Sequence, residues 1–192
     1  MLFLLKRTWP PALAALVLLA ALGIGVRTLR GGGPEFGFSL RDTVLGVAVA
    51  AGVLVNDASL YGLFCLVFGE SYRHRHRALA AIFRDQRFAA IVVGAAMAGI
   101  GEELIFRGLS LSPYYLLGGA VVFGRLHHVR RDLWPFTIWA AWEGVLFATA
   151  LYVTEMLAVT MIAHFLHDLI GFLIFRYLNQ VAPKPPLASF PN

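Results

Sequence analysis

The sequence predicts an all-α, polytopic transmembrane helical bundle of about six spans around a mid-membrane polar cavity. Three observations predict it. Of 192 residues, 59% are hydrophobic and only 14% are charged, whereas soluble domains carry about 25% charged residues. Apolar runs near the length of a bilayer crossing recur along the chain between short connections. Acids, histidines and an arginine lie inside several of these runs, although a charged side chain at the bilayer centre costs at least ~2.5 kcal/mol.

The first run, 10–26, follows Lys6 and Arg7 and is itself followed by Arg27 and Arg30. A basic flank in place of a small-residue cleavage site marks a retained span rather than a secretory signal. The second run, 43–68, carries Asn56 and Asp57 near its middle and is long enough to be tilted, broken or split in two. A basic connection, 70–87, comes next. Its Leu79, Ile82 and Phe83 follow helical spacing, which predicts a short helix lying on anionic headgroups. Within it, Arg73-His74-Arg75-His76-Arg77 reads as a solvated basic stretch rather than a metal-binding tract. The third run covers 88–109, the short fourth 114–126, the fifth 135–153 and the sixth 157–177. Together, residues 1–181 are expected to form one integral-membrane domain. The proline-rich stretch 182–192 reads as a disordered tail. The single cysteine, Cys65, lies in an apolar run and has no internal disulfide partner.

Charge sets the expected orientation. With the N-terminus inside, twelve Lys and Arg fall on cytoplasmic stretches and only Arg27, Arg30 and Arg41 fall outside. That bias places both termini in the cytoplasm. The net charge of +5 then reports membrane topology, so no nucleic-acid partner is expected. The lipid bilayer itself is the expected surrounding.

Three intramembrane clusters carry the chemistry. The first is Glu102, Glu103 and Arg107. Glu103 and Arg107 stand at i,i+4 with the acid first, the favourable order for a pair on one helix face. Glu102 is turned by about 100° from its neighbour and is free for other work. The preceding Gly94–Gly99 stretch is rich in small residues that let a neighbouring helix approach closely. The second cluster is Phe123 with His127. Glu102 and His127 each lie about a dozen residues from a hairpin turn at Ser112-Pro113, so they reach nearly the same height on antiparallel helices rising ~1.5 Å per residue. His128 faces elsewhere, as an interfacial polar residue. In the third cluster, His164 and Asp168 share a face at i,i+4, with His167 near it. Glu102, His127, His164 and Asp168 therefore converge on one depth. Asn56, Asp57 and Glu143 match no spacing rule, and helix packing or cavity hydration is the expectation for each.

The order Glu-Glu-x-x-x-Arg, Phe-x-x-x-His and His-x-x-x-Asp on successive runs resembles the CPBP family, the Abi or CAAX-protease-like group of intramembrane endopeptidases. The resemblance covers roughly 88–178 and rests on Glu102-Glu103…Arg107, Phe123…His127 and His164…Asp168. It implies hydrolysis of a peptide bond by a glutamate-activated water, with Glu102 as general base and His127 helping to hold and polarise the water. Glu103 would pair with Arg107, and His164 with Asp168 would form the oxyanion-stabilising side. Family members often carry Asn at the last position. An ionised Asp168 cannot donate to an oxyanion, so it is either protonated or orients His164 and keeps it cationic; the second role is the expected one, and the His164 imidazolium then donates.

A zinc site built from Glu102, His127 and His164 with an open fourth position is the mechanistic rival. The family resemblance implies no metal and no other cofactor. The expected substrate is a membrane-tethered peptide or protein tail in a bacterial inner (cytoplasmic) membrane, with a sorting role of the myxosortase type as one concrete form. Two non-proteolytic readings stand beside it: a membrane scaffold or bacteriocin-immunity protein of the same fold, and a proton or ion pathway using the same buried acids and histidines. Oligomeric state stays open.

Overall fold

The computed structural model describes residues 22, 34–35, 37–128 and 131–181, with only the backbone described at 82, 132 and 179–181. The expected first span at 10–26 and the proline-rich tail at 182–192 lie outside the described residues. Within them the chain is helical, without a β-strand.

Helix α1, Leu40–Ala80, starts at a capping box. The Ser39 hydroxyl accepts from the Asp42 N–H at 3.1 Å, and the Asp42 carboxylate accepts from the Ser39 N–H at 3.0 Å, so two otherwise orphaned amide donors are satisfied. The helix breaks at Gly69, whose φ of 58° and ψ of −138° are open to a residue without Cβ. The break folds residues 70–80 back along the first arm. Tyr61 and His76 have ring centroids only 4.5 Å apart, whereas a straight helix would separate them by about 22 Å.

This fold-back corrects the expectation of a headgroup-bound helix. Leu79 and Phe83 are buried, and the Phe83 ring stacks on Phe172 at 4.4 Å. Apolar side chains at helical spacing signal burial, and here they bury against protein instead of lipid. The cationic side of the same stretch is still exposed, with Arg73 and Arg77 pairing with Glu70 at 2.5 and 3.4 Å.

Helix α2, Phe88–Met97, runs into a π-helical turn, Ala98–Glu102, and then into the short α3, Glu103–Phe106. Helices α4, Pro113–Leu126, and α5, Trp134–Thr154, both carry proline in the first turn, where its missing N–H costs nothing. The turn expected at Ser112-Pro113 is thus where the chain reverses. Helix α6, Leu157–Val181, lies against α1, α2, the π-turn and α5.

Small residues permit that packing. A Cβ on Gly99 would sit 2.7 Å from the Phe165 nitrogen and 2.9 Å from the Met161 carbonyl oxygen, so α6 crosses the π-turn at a point only glycine leaves open. One buried apolar cluster joins Leu104, Leu116, Leu151, Leu157 and Met161, and a second joins Ala50, Val53, Phe147 and Ala163. Large apolar side chains such as Leu66, Val67 and Val121 face outward, as lipid contact requires.

Four helices are long and apolar enough to cross a membrane: Leu40–Ala80, Phe88–Phe106, Trp134–Thr154 and Leu157–Leu178. The chain is a multi-pass membrane protein. Helix α4 has 14 residues, about 21 Å of rise, and falls short of the ~30 Å hydrocarbon thickness. The six expected spans are therefore matched by four among the described residues.

Candidate active site

The π-turn sets the geometry of the acids. A π-bulge inserts a residue into the helical register and is common at functional sites. Here it places Glu102 and Glu103 at the point where α6 passes, both buried, at 5% and 0% exposure. Glu103 accepts a hydrogen bond from the Arg107 guanidinium, as the i,i+4 spacing predicts. Arg107 also donates to the Gly144 carbonyl at 3.3 Å and lies over the rings of Phe123 and Phe147, 5.3 and 5.6 Å from their centroids. A charge buried this deeply needs every one of those partners.

Glu103 has a second partner that spacing did not reveal. Its Oε1 lies 2.7 Å from His164 Nδ1. The His164 ring is sandwiched on one side by Phe147, stacked at 4.8 Å, and meets Phe123 edge-on at 5.9 Å. Its remaining nitrogen, Nε2, faces Asp168 Oδ2 at 3.8 Å and Glu102 Oε2 at 4.0 Å. Glu102 Oε2 is buried and has no hydrogen-bond partner.

His127 caps the C-terminal end of α4. Its Nδ1 donates to the Phe123 carbonyl at 2.7 Å, which leaves Nε2 as the ring's other polar atom. Phe123 packs against the His127 ring at 4.3 Å, so this residue contacts His127, His164 and Arg107 together.

A cavity of about 490 Å³ opens beside these groups, and Glu102, Phe123, His127, His164 and Asp168 all line it. Glu103 and Arg107 stand behind it. The rest of the wall is largely aromatic and aliphatic, with Phe136, Trp139 and Phe172 among the lining residues. His128 is apart, with Nδ1 3.1 Å from the Thr137 hydroxyl.

Asp57, Glu143 and His167 also line the cavity, and sequence reasoning gave them no joint role. His167 Nε2 lies 2.7 Å from Asp57 Oδ2 and 3.5 Å from Glu143 Oε1, and its Nδ1 lies 3.2 Å from Asp168 Oδ1. These residues come from α1, α5 and α6, so no spacing within one helix joins them. The available signal was only that each is an ionisable group inside an apolar run.

The arrangement offers a carboxyl group lining a cavity, together with the imidazoles of His127 and His164. Such a set can hold and deprotonate a water and donate to an oxygen that gains charge. Fold and site together define a multi-pass helical membrane protein with an acid–histidine centre among its helices. Residues 84–170 match the family model described as Rce1-like, "Type II CAAX prenyl endopeptidase Rce1-like", a match that agrees with the resemblance of the motifs to the CPBP, CAAX-protease-like group. The matched stretch contains all three motifs and supports a protease. No curated protein and no solved structure significantly matches the chain.

Proposed function

We propose that this protein is an intramembrane endopeptidase that hydrolyses a peptide bond of a membrane-associated peptide or protein tail, with Glu102 as the general base. The observation that carries the reading is Glu102, an acid lining the cavity whose buried Oε2 has no hydrogen-bond partner and stands 4.0 Å from His164 Nε2. In this reading Glu102, assisted by His127, takes a proton from a water whose oxygen attacks the scissile carbonyl carbon. The C–O bond forms, the carbonyl electron pair moves onto oxygen, and His164 donates to that oxyanion. Collapse breaks the C–N bond, and the proton held by Glu102 passes to the departing amine. Asp168 sits on the same wall as His164, and no metal is required at Glu102, His127 and His164.

The apolar wall suits an apolar stretch of substrate entering from the bilayer. The reading includes a bacterial cytoplasmic membrane with both termini in the cytoplasm, and a tail-processing role of the sorting type. Proteomics of a deletion strain would reveal uncleaved precursors, and purified protein would then be assayed on the accumulated tail. Glu102→Gln is expected to lower turnover by about 10²–10⁴-fold, the usual contribution of a general base. Turnover at the wild-type rate in that variant would rule out the glutamate-base mechanism.

A further inference from the structure

Beside the proposed hydrolytic centre, Asp57, Glu143 and His167 bring one ligand atom each to a common point, all within 4.8 Å of one another. The three residues come from α1, α5 and α6 and border the cavity, which gives an ion a path of entry. We infer that they form a binding site for a divalent first-row cation of the Zn²⁺ or Mn²⁺ kind, separate from Glu102, His127 and His164. The inference does not rest on the peptidase reading.

The donor set suits such an ion. One imidazole and two carboxylates form a mixed N/O set, and the open side faces the cavity. Ligand distances of about 2.0–2.2 Å put tetrahedral ligand atoms about 3.3–3.6 Å apart. Glu143 Oε1 and His167 Nε2 are already 3.5 Å apart. Asp57 Oδ2, at 2.7 Å from the same nitrogen, must withdraw by roughly 0.7 Å, the difference from that tetrahedral spacing.

Outer partners orient the ligands. Metal-bound histidines almost always engage a carboxylate, carbonyl or water through the other ring nitrogen, and His167 Nδ1 lies 3.2 Å from Asp168 Oδ1. Asn56 donates to Asp57 Oδ1 at 3.2 Å, leaving Oδ2 directed at His167. Trp142 donates in turn to Asn56 Oδ1 at 3.4 Å.

Charge supplies the need. Asp57, Glu143 and Asp168 surround His167, and among the described residues none of these carboxylates pairs with a lysine or arginine. Arg107 is engaged by Glu103 and Gly144. Glu102 lines the same cavity at 5% exposure, and its Oε2, on the His164 side, has no hydrogen-bond partner. Carboxyl groups gathered in a low-dielectric interior need a partner, and a bound cation can serve as one. Bound there, the ion neutralises the cluster and, through His167, fixes Asp168. It is a positioning ion, set apart from the water-activating groups.

The test uses the full chain purified in detergent, with any affinity tag removed and stripped of metal, titrated with Zn²⁺ alone. About one tightly bound ion per chain is expected. Asp57→Asn and Glu143→Gln should abolish that binding, Asn56→Ala should weaken it about 10–100-fold as an outer-shell change, and His127→Gln should leave it intact. Zinc-edge X-ray absorption on the wild-type protein provides a readout that needs no variant to fold, and one imidazole with an otherwise oxygen-rich shell is expected. Absence of tight binding overturns the inference. So does a shell with two or more imidazoles, binding that survives Asp57→Asn or Glu143→Gln, or binding that disappears in His127→Gln.

Discussion

Glu103 Oε1 is shared between two residues, accepting from the Arg107 guanidinium and lying 2.7 Å from His164 Nδ1. The sharing fixes which edge of the His164 ring is available. With Nδ1 engaged behind the cavity wall, only Nε2 is presented toward Glu102 and Asp168, at 4.0 and 3.8 Å. Those separations exceed direct hydrogen-bond length, so the ring is anchored from the Glu103 side. Glu103 thus ties the last helix to the π-turn as well as neutralising Arg107.

Removing that carboxylate should damage folding before it damages chemistry. Glu103→Ala leaves the Arg107 charge fully buried without its partner, and breaking a buried pair from one side costs about 3–5 kcal/mol. Replacing both partners by apolar groups of similar volume is often neutral, so Glu103→Leu with Arg107→Met should recover much of the folding. The double variant should still turn over poorly, because His164 Nδ1 has lost its anchor. Thermal unfolding in detergent, with cleavage measured in parallel, separates the two effects. A double variant as unstable as the single would show that the pair is not an isolated charge unit.

Phe147 should matter in a different way. Its side chain is wholly buried, stacks on His164 at 4.8 Å and lies beneath Arg107. Phe147→Ala removes that bulk and should cost about 3–5 kcal/mol. Phe147→Leu keeps most of the apolar volume, with an expected cost below about 1.5 kcal/mol, yet it removes the ring face. Its turnover on an accumulated tail should fall while its melting temperature stays close to the wild-type value. Wild-type turnover in Phe147→Leu would reduce this residue to filling space.

Residues that share one helix were legible, and residues joined only by tertiary packing were not. Glu103 and Arg107 pair as i,i+4 geometry requires, and Glu102 faces the cavity as its 100° offset from Glu103 demands. The hairpin turn allowed Glu102 and His127 to be set at one height. By contrast, the contact between Glu103 and His164 spans 61 positions and that between Asp57 and His167 spans 110. No periodicity encodes either contact. The stretch at 70–83 departs from the expected headgroup-bound helix for a related reason. An apolar stripe states that a face will be buried and leaves its partner undefined, and Phe172 rather than lipid covers Phe83.

The π-turn crossing gives a steric prediction. Gly99→Ala would set a methyl 2.7 Å from the Phe165 backbone nitrogen and 2.8 Å from its Cβ, positions that cannot yield without moving α6. Overpacking of this kind costs about 1–3 kcal/mol, and the shift would also displace His164 from Glu103. Gly94→Ala, on the same face-forming stretch but with nothing within 4 Å, should be tolerated. Paired melting curves check the contrast, and equal melting temperatures would contradict the close crossing.

Gly69 gives a prediction in which sterics play no part. Nothing lies within 4 Å of a Cβ placed there, and its φ is +58°, so Gly69→Ala meets only backbone strain, about 1–3 kcal/mol in this region. That strain acts directly on the break that folds residues 70–80 back and brings His76 over Tyr61. Gly62→Ala is the matched control. It also has open space around its Cβ but no positive φ, and alanine in place of helical glycine should stabilise by about 0.5–1 kcal/mol. With Cys65 replaced by serine, Tyr61→Cys and His76→Cys should be joined readily by a short bifunctional thiol reagent, which spans the space the two rings fill, in the otherwise wild-type chain and in Gly62→Ala. The cross-link should form several times more slowly in Gly69→Ala. Equal rates in all three would mean that the arm is held by its packing on Phe172 and Phe175 alone, and that the glycine conformation is incidental to the fold-back.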